Sequence, residues 1–342
     1  MKDCVEPLVS VIVPIHNAGK YLYKCLDSLV NQTLRNIEII AVLDCPTDGS
    51  DKVVEEFAAN DPRIKIVRNK ENLHIGNSRN EGLKVARGKY IGFSDHDDYS
   101  DPRMYEVLYR KAEEENLDLV CSPYISVCHE IVYNGGNDPQ LPPEELMHAI
   151  FASTVGVLSE NDKHGILSAS GAVWRRLFRT EIIRKHKIKF VDTKCCTSED
   201  CAFVIEYALW GQRAGVVNEP LYYHNLGINN TGATLSYHEA NKIICYIEYI
   251  HTVLNKANEY KGEIAIRHTN MIAQYLWIAF LSSLHHKHLK QFFKSDIRRF
   301  SQSSIVVKSL QQSLSTYGSS KFKQRIKKMC VIALKRIIIT QS

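Results

Sequence analysis

The chain lacks the two glycine-rich signatures that most often mark a nucleotide phosphate site. No GxGxxG follows its first apolar run, and no GxxxxGK[ST] occurs anywhere. The usual dinucleotide and P-loop cradles are therefore excluded, and any phosphate must be held by other means. The ten cysteines include no CxxC pair, which argues against a zinc knuckle. The opening residues Met1 to Pro7 carry no apolar signal core, and no stretch is apolar for long enough to span a bilayer. Repeats and low-complexity tracts are missing as well. From these absences we expect a cytoplasmic protein with reduced thiols. A net charge of +5 over 342 residues is too mild to argue for nucleic acid as a partner.

What is present is ordinary globular composition, 44% hydrophobic and 24% charged, enough for one large domain or two moderate ones. Leu8 to Pro14 is a β-branched run that predicts a central strand. Tyr21 to Val30 carries Leu22, Cys25, Leu26 and Leu29 at helical spacing. Strands are predicted again at Ile37–Leu43, Ile64–Val67 and Tyr90–Phe93. Helices are predicted at Asp51–Asn60 and Gly76–Ala86, with Gly88 as the cap of the latter. This alternation predicts an α/β fold, a parallel sheet covered by helices on both faces.

The fourth strand runs into Asp95-His96-Asp97-Asp98. Ligands of open α/β sheets bind at the carboxyl ends of the strands. Three acids in four residues repel one another unless a cation neutralises them or water solvates them. Asp-x-Asp offers hard oxygens suited to Mg²⁺ or Mn²⁺. Taken alone, the cluster reads equally as a solvated turn or a helix N-cap.

Its surroundings are more specific. Val9-Ser10-Val11-Ile12-Val13-Pro14, Asn17, Asp44 with Thr47-Asp48-Gly49-Ser50, Ser78-Arg79-Asn80-Glu81-Gly82-Leu83 and the acid cluster follow in that order. The set resembles the family 2 glycosyltransferases, whose catalytic domain has the GT-A fold. Trp174 to Phe178, Ser198 to Phe203 and Glu219 to His224 look like acceptor-side signatures of the members that build bacterial polysaccharides. Departures are His16-Asn17 where Tyr-Asn is usual, Leu43 where a second acid is usual, Cys45-Pro46, and His96 inside the cluster.

The resemblance implies a GT-A catalytic domain over 1–230, with a nucleotide-sugar half to about 122 and an acceptor half beyond, then a helical C-terminal region over 231–342. It implies a metal-dependent inverting transfer from a UDP-sugar to a saccharide or lipid-linked saccharide hydroxyl. Pro14, His16, Asn17, Asp44, His74, Arg79, Asp95, His96 and Asp97 form the implied nucleotide-sugar site. There Asp44 accepts the uracil N3–H, a donor that cytosine does not offer; a loop or capping aspartate is the plainer reading. His16 and His74 contact the base or are surface histidines, and Asn17 fixes its own turn. Arg79 pairs with an aspartate of the cluster in preference to steadying a diphosphate. Asp97 is the direct metal ligand, Asp95 reaches metal and donor sugar, and Asp98 backs them or caps the helix near Pro102.

Asp200, ahead of Glu199, is the implied general base; first-turn acids favoured by a helix dipole are the alternative. Trp174, Arg176, Tyr223 and His224 line the acceptor side or pack in the core. The small polar loop 227–232 is placed to close over a diphosphate. His238–Tyr260 and Glu263–Leu284 read as helices packed on the catalytic domain or on a partner subunit. His285-His286-Lys287-His288 reads as a solvated cationic cap rather than a metal site. The basic amphipathic tail 320–342 either lies on the inner face of the plasma membrane or docks on the body. Two other functions compete. A nucleotidyltransferase would want a glycine-rich grip in Ile15 to Lys20, which is short and glycine-poor. A non-catalytic saccharide binder would have lost the acids that are present here.

Overall fold

Near-continuous apolar runs force strands to the centre, because a strand buried on both faces has no polar side to show. In the computed structural model, which describes residues 6–128, 131–134, 136, 138–156, 171–226, 240–259, 261–272 and 302–307, every residue of the first two strands is buried. The elements are β1 (Val9–Ile15), a 3-10 turn (Gly19–Tyr21), α1 (Leu22–Val30), β2 (Ile37–Leu43), α2 (Ser50–Asn60), β3 (Ile64–Arg68), α3 (His74–Val85), β4 (Tyr90–Phe93) and β5 (Tyr99–Ser100). They continue as α4 (Met104–Glu114), β6 (Leu119–Cys121), β7 (Tyr124–Cys128), β8 (Ile131–Asn134), α5 (Pro143–Val155), β9 (Arg176–Arg179), α6 (Thr180–His186), α7 (Glu199–Trp210), β10 (Ala214–Val216), β11 (Tyr222–Asn225) and α8 (Ala240–Lys256).

Seven strands form one sheet in the order β10-β6-β9-β4-β1-β2-β3. All neighbours are parallel except β9, which runs against both β4 and β6. A smaller sheet, β5-β11-β7-β8, stands beside it. The boundary expected near residue 122 therefore runs through a single sheet: β6 lies before it, and both partners of β6 lie after it.

One apolar layer is made by α1 and α4, with Leu22, Cys25, Leu26 and Leu29 buried as their spacing predicts. The other is made by α5, α7 and α8, where Ile243, Tyr246, Ile247, Ile250 and Leu254 join the core. Each such side chain contributes about 1.5–3 kcal/mol by leaving water. The described part of the C-terminal region thus packs on the catalytic domain. Phe93, at the end of β4, meets Phe178, Phe190 and Phe203 edge to face with centroids 5.9, 5.2 and 5.6 Å away.

Gly88 does not cap α3. The helix ends at an extended Ala86, and a Cβ on Gly88 would collide with the Ser10 backbone. Its amide instead donates to Ser10 Oγ at 2.8 Å. Ser10 Oγ donates in turn to the buried Glu38, which also accepts from the Arg87 amide at 2.6 Å and pairs with Lys65. The loop 227–232, the His285–His288 run and the tail 320–342 lie outside the described residues. Among the described residues no helix is long and apolar enough to cross a membrane.

Candidate active site

The acid cluster occupies the carboxyl end of β4, as expected, but its members divide the work. Asp98 is 2% exposed. It accepts from the Tyr222 hydroxyl and from the Asn225 amide, both at 2.7 Å. The Asp95 amide donates to the same Tyr222 oxygen at 3.3 Å, and Asn225 Nδ2 donates to the Asp97 carbonyl at 3.2 Å. Asp98 thus anchors β11 beneath the cluster and caps no helix. In the turn before α4, the Asp101 carboxylate accepts from the Arg103 amide instead. His96 donates from Nδ1 to the Pro14 carbonyl at 3.0 Å, tying the cluster to the end of β1. Burial and then the neighbouring Asp95 push the Asp97 carboxyl above its ordinary value, while His96 and His224 pull the other way.

Arg79, on α3, joins this cluster to the far end of the chain. The side chain is 1% exposed. Its Nη2 donates to Asp95 Oδ1 at 2.8 Å, and its Nη1 donates to Glu199 Oε1 at 3.2 Å and to Asp200 Oδ1. A planar fork of donors suits several carboxylates better than a single ammonium would. The pairing expected from the sequence is present, and it extends to both acids of α7. Asn80, one residue on, clamps Phe190 both ways, donating to its carbonyl at 2.9 Å and accepting from its amide at 2.8 Å. Ser198, at φ 54°, turns the chain into α7, so that Glu199 and Asp200 open the helix facing Arg79. Removal from water pushes Asp200 well above the ordinary carboxylate range. Arg79 opposes that rise, and Glu199 and Asp95 add to it.

At the ends of β1 and β2, Asp44 is buried, and its Oδ1 accepts from Asn69 Nδ2 at 2.8 Å and from the Leu73 amide at 2.7 Å. Both bonds fall on Oδ1, so Oδ2 is the oxygen placed for a further donor. His16 Nδ1 donates to the Asp44 carbonyl at 2.6 Å, and Asn72 Nδ2 lies 3.4 Å from His16 Nε2. Asn17 does more than fix its own turn: its Oδ1 accepts from the Thr47 amide at 2.8 Å, drawing two loops together. His74 is exposed at φ 62°, and its amide donates to Asn72 Oδ1. Asn69 and Asn72 were not singled out from the sequence; their only signal was two asparagines in the short turn before α3.

The four acceptor-side candidates split. Trp174 stacks on His224 and on Tyr222, with centroids 5.0 and 4.6 Å away, and meets Tyr124 edge to face. Burial lowers the His224 pKa against the pull of Asp95 and Asp97. Tyr223 alternates to the other face of β11 and stacks on Tyr99 at 4.6 Å. Arg176 is fully enclosed in β9, its Nε donating to Cys121 Sγ at 3.3 Å. Tyr223 and Arg176 therefore do not share the Trp174–His224 face, and Arg176 takes the packing alternative.

Among the described residues no three His, Cys, Asp or Glu side chains form a metal-holding group. Mg²⁺ is commonly held by one or two carboxylates together with substrate phosphates. Asp95 and Asp97 offer such a pair of hard, mutually repelling oxygens, so the residues present fit a cation shared with a diphosphate.

A mostly parallel sheet with acids at the carboxyl end of β4 and a second acid pair opening α7 defines a GT-A transferase architecture. The crystal structure of S. aureus TarS 1–349 in complex with UDP has a TM-score of 0.69 at 20% identity, covering 96% of this chain and 88% of that one. Residues 10–178 match the sequence pattern of glycosyl transferase family 2. The chain is 31% identical over 266 residues to the uncharacterized glycosyltransferase YibD of Escherichia coli (strain K12), covering 75% of this chain and 73% of that protein. It is 34% identical over 226 residues to the uncharacterized glycosyltransferase EpsJ of Bacillus subtilis (strain 168), covering 66% of this chain. This chain belongs to the family 2 glycosyltransferases. The matched region spans 62% of the length of EpsJ and of the putative glycosyltransferase EpsH from the same organism.

Proposed function

We propose that this protein is a metal-dependent inverting glycosyltransferase. It moves a sugar from a UDP-sugar to a hydroxyl of a saccharide or lipid-linked saccharide in the synthesis of a surface polysaccharide such as capsule. The observation that carries this reading is the single guanidinium of Arg79 bridging Asp95 to Glu199 and Asp200. Arg79 thereby holds Asp95, the proposed donor-side acid, and Asp200, the proposed base, around one side chain. Asp44 Oδ2 takes the uracil N3–H, and the TarS structures with UDP and UDP-GlcNAc support a uridine donor.

Asp97 and Asp95 would hold Mg²⁺ or Mn²⁺, which supplies positive charge to the departing diphosphate. Asp200 takes the proton of the acceptor hydroxyl. The acceptor oxygen bonds to the anomeric carbon as the bond to diphosphate breaks, and one displacement inverts that carbon. His224, backed by the buried Trp174, presents the aromatic face on which a sugar ring can lie. The tail 320–342 holds the enzyme near lipid-linked acceptors, and its deletion should move the protein from the membrane to the soluble fraction.

Calorimetric titration of UDP with and without Mn²⁺ tests the donor site, and a panel of UDP-sugars tests turnover. We expect the cation to tighten UDP binding and to switch on hydrolysis of one donor. Binding of equal strength with and without Mn²⁺, unchanged in Asp95→Asn and Asp97→Asn, would overturn the reading.

A further inference from the structure

Three thiols meet just ahead of the Glu199–Asp200 pair, and nothing in the reaction above uses them. Cys195 is exposed and Cys196 buried, in a turn where both amides donate to the Asp192 carbonyl at 3.2 and 2.8 Å. Cys245 lies on α8, one turn beyond Lys242. The Lys242 carbonyl accepts from the Thr197 amide at 3.4 Å, which draws α8 against the turn at the residue following Cys196. Cys245 packs against the same apolar cluster that encloses Cys196. Its thiol interacts with those of both Cys196 and Cys195. All three are free thiols.

We propose that Cys195 and Cys245 form an oxidation site, closed to a disulfide by a peroxide, that ties the turn before α7 to α8. Cys195 is the group an oxidant meets first, because it is exposed; burial pushes the Cys196 and Cys245 thiols up and makes them poorer nucleophiles. The Cys195 sulfur attacks one peroxide oxygen, the O–O bond breaks, and water leaves a sulfenic acid behind. The Cys245 sulfur then attacks the Cys195 sulfur and displaces a second water. Two thiols lose two electrons, and one peroxide becomes two waters. The bond would restrain the chain four residues before Glu199, and so the start of the helix that faces Arg79. The site stands apart from the transferase reading, because its test reads the bond itself.

Treat the full chain with hydrogen peroxide, block the remaining thiols, digest with trypsin without reduction and map the peptides by mass spectrometry. The expected product joins the peptide Cys195–Arg213 to Ile243–Lys256, with fragmentation placing the link on Cys195. It should vanish on reduction with dithiothreitol, persist in Cys196→Ser and be lost in Cys195→Ser and Cys245→Ser. A link that survives in Cys195→Ser, or Cys195 recovered only as sulfinic or sulfonic acid, would overturn the proposal. Cys195 is exposed and serine nearly isosteric, so that variant should fold; a circular dichroism spectrum matching the parent checks this.

Discussion

Arg79 must satisfy three carboxylates from a position almost closed to solvent. Its replacement therefore separates two effects. Arg79→Lys keeps the charge but not the fork, so each lost charged hydrogen bond should cost about 1.5–3 kcal/mol. Thermal melting should show that loss, and UDP affinity should fall with it as Asp95 loses its anchor. Asp200→Asn should leave UDP affinity near the parent value while the transfer rate drops by about 10²–10⁴; initial rates and calorimetry on one preparation distinguish the two variants. The Arg79 pairing and the place of Asp44 at a strand end were legible in the sequence, because an ordered set of motifs carried them. Asn69, Asn72 and Tyr222 were not. Each earns its place through a partner brought close by loop closure, as Tyr222 meets Asp98 from 124 positions away, and no local pattern records that.

At the scale of the element, β2 carries a buried charge that ties three segments together. Burial alone would raise the Glu38 pKa, but hydrogen bonds from Lys65, Ser10 and the Arg87 amide outweigh it and hold the carboxyl below its ordinary 4.5. A depressed carboxylate stabilises the fold above its unfolded pKa, and that contribution is lost as pH falls through the folded value. Glu38→Gln should lower stability at neutral pH by about 1–3 kcal/mol. Urea melts of parent and variant should converge as pH falls through the depressed value of the folded Glu38 carboxyl; a gap that does not narrow with falling pH would contradict the assignment. Strands β1 to β4 and helices α1 to α3 were legible from apolar runs and periodicity. β9, β5 and the second sheet were not, because these short strands carry polar or charged residues in place of the apolar run that marked β4. Tyr223 and His224 fall on different faces of β11, because adjacent positions on a strand point to opposite faces.

At the scale of the whole molecule, the two catalytic halves share one sheet, and the C-terminal helices complete its second apolar layer. An isolated fragment of residues 1–122 should therefore fail to melt cooperatively, because β6 would lack both β9 and β10. Circular dichroism against temperature checks this, and a sharp transition from the fragment would refute it. Where the C-terminal helices dock was not legible, since an apolar stripe says that a helix is covered but not by what. The reversed strand β9 also sets a schedule for biosynthesis. A ribosome finishes β4 long before it reaches Arg176, and at ~5–20 residues per second the interval is on the order of ten seconds. Throughout that time the nascent β4 has β1 on one side and an open hydrogen-bonding edge on the other. The growing polypeptide is thus a natural client for chaperones that shield unpaired strands, until translation delivers the strand that seals the gap.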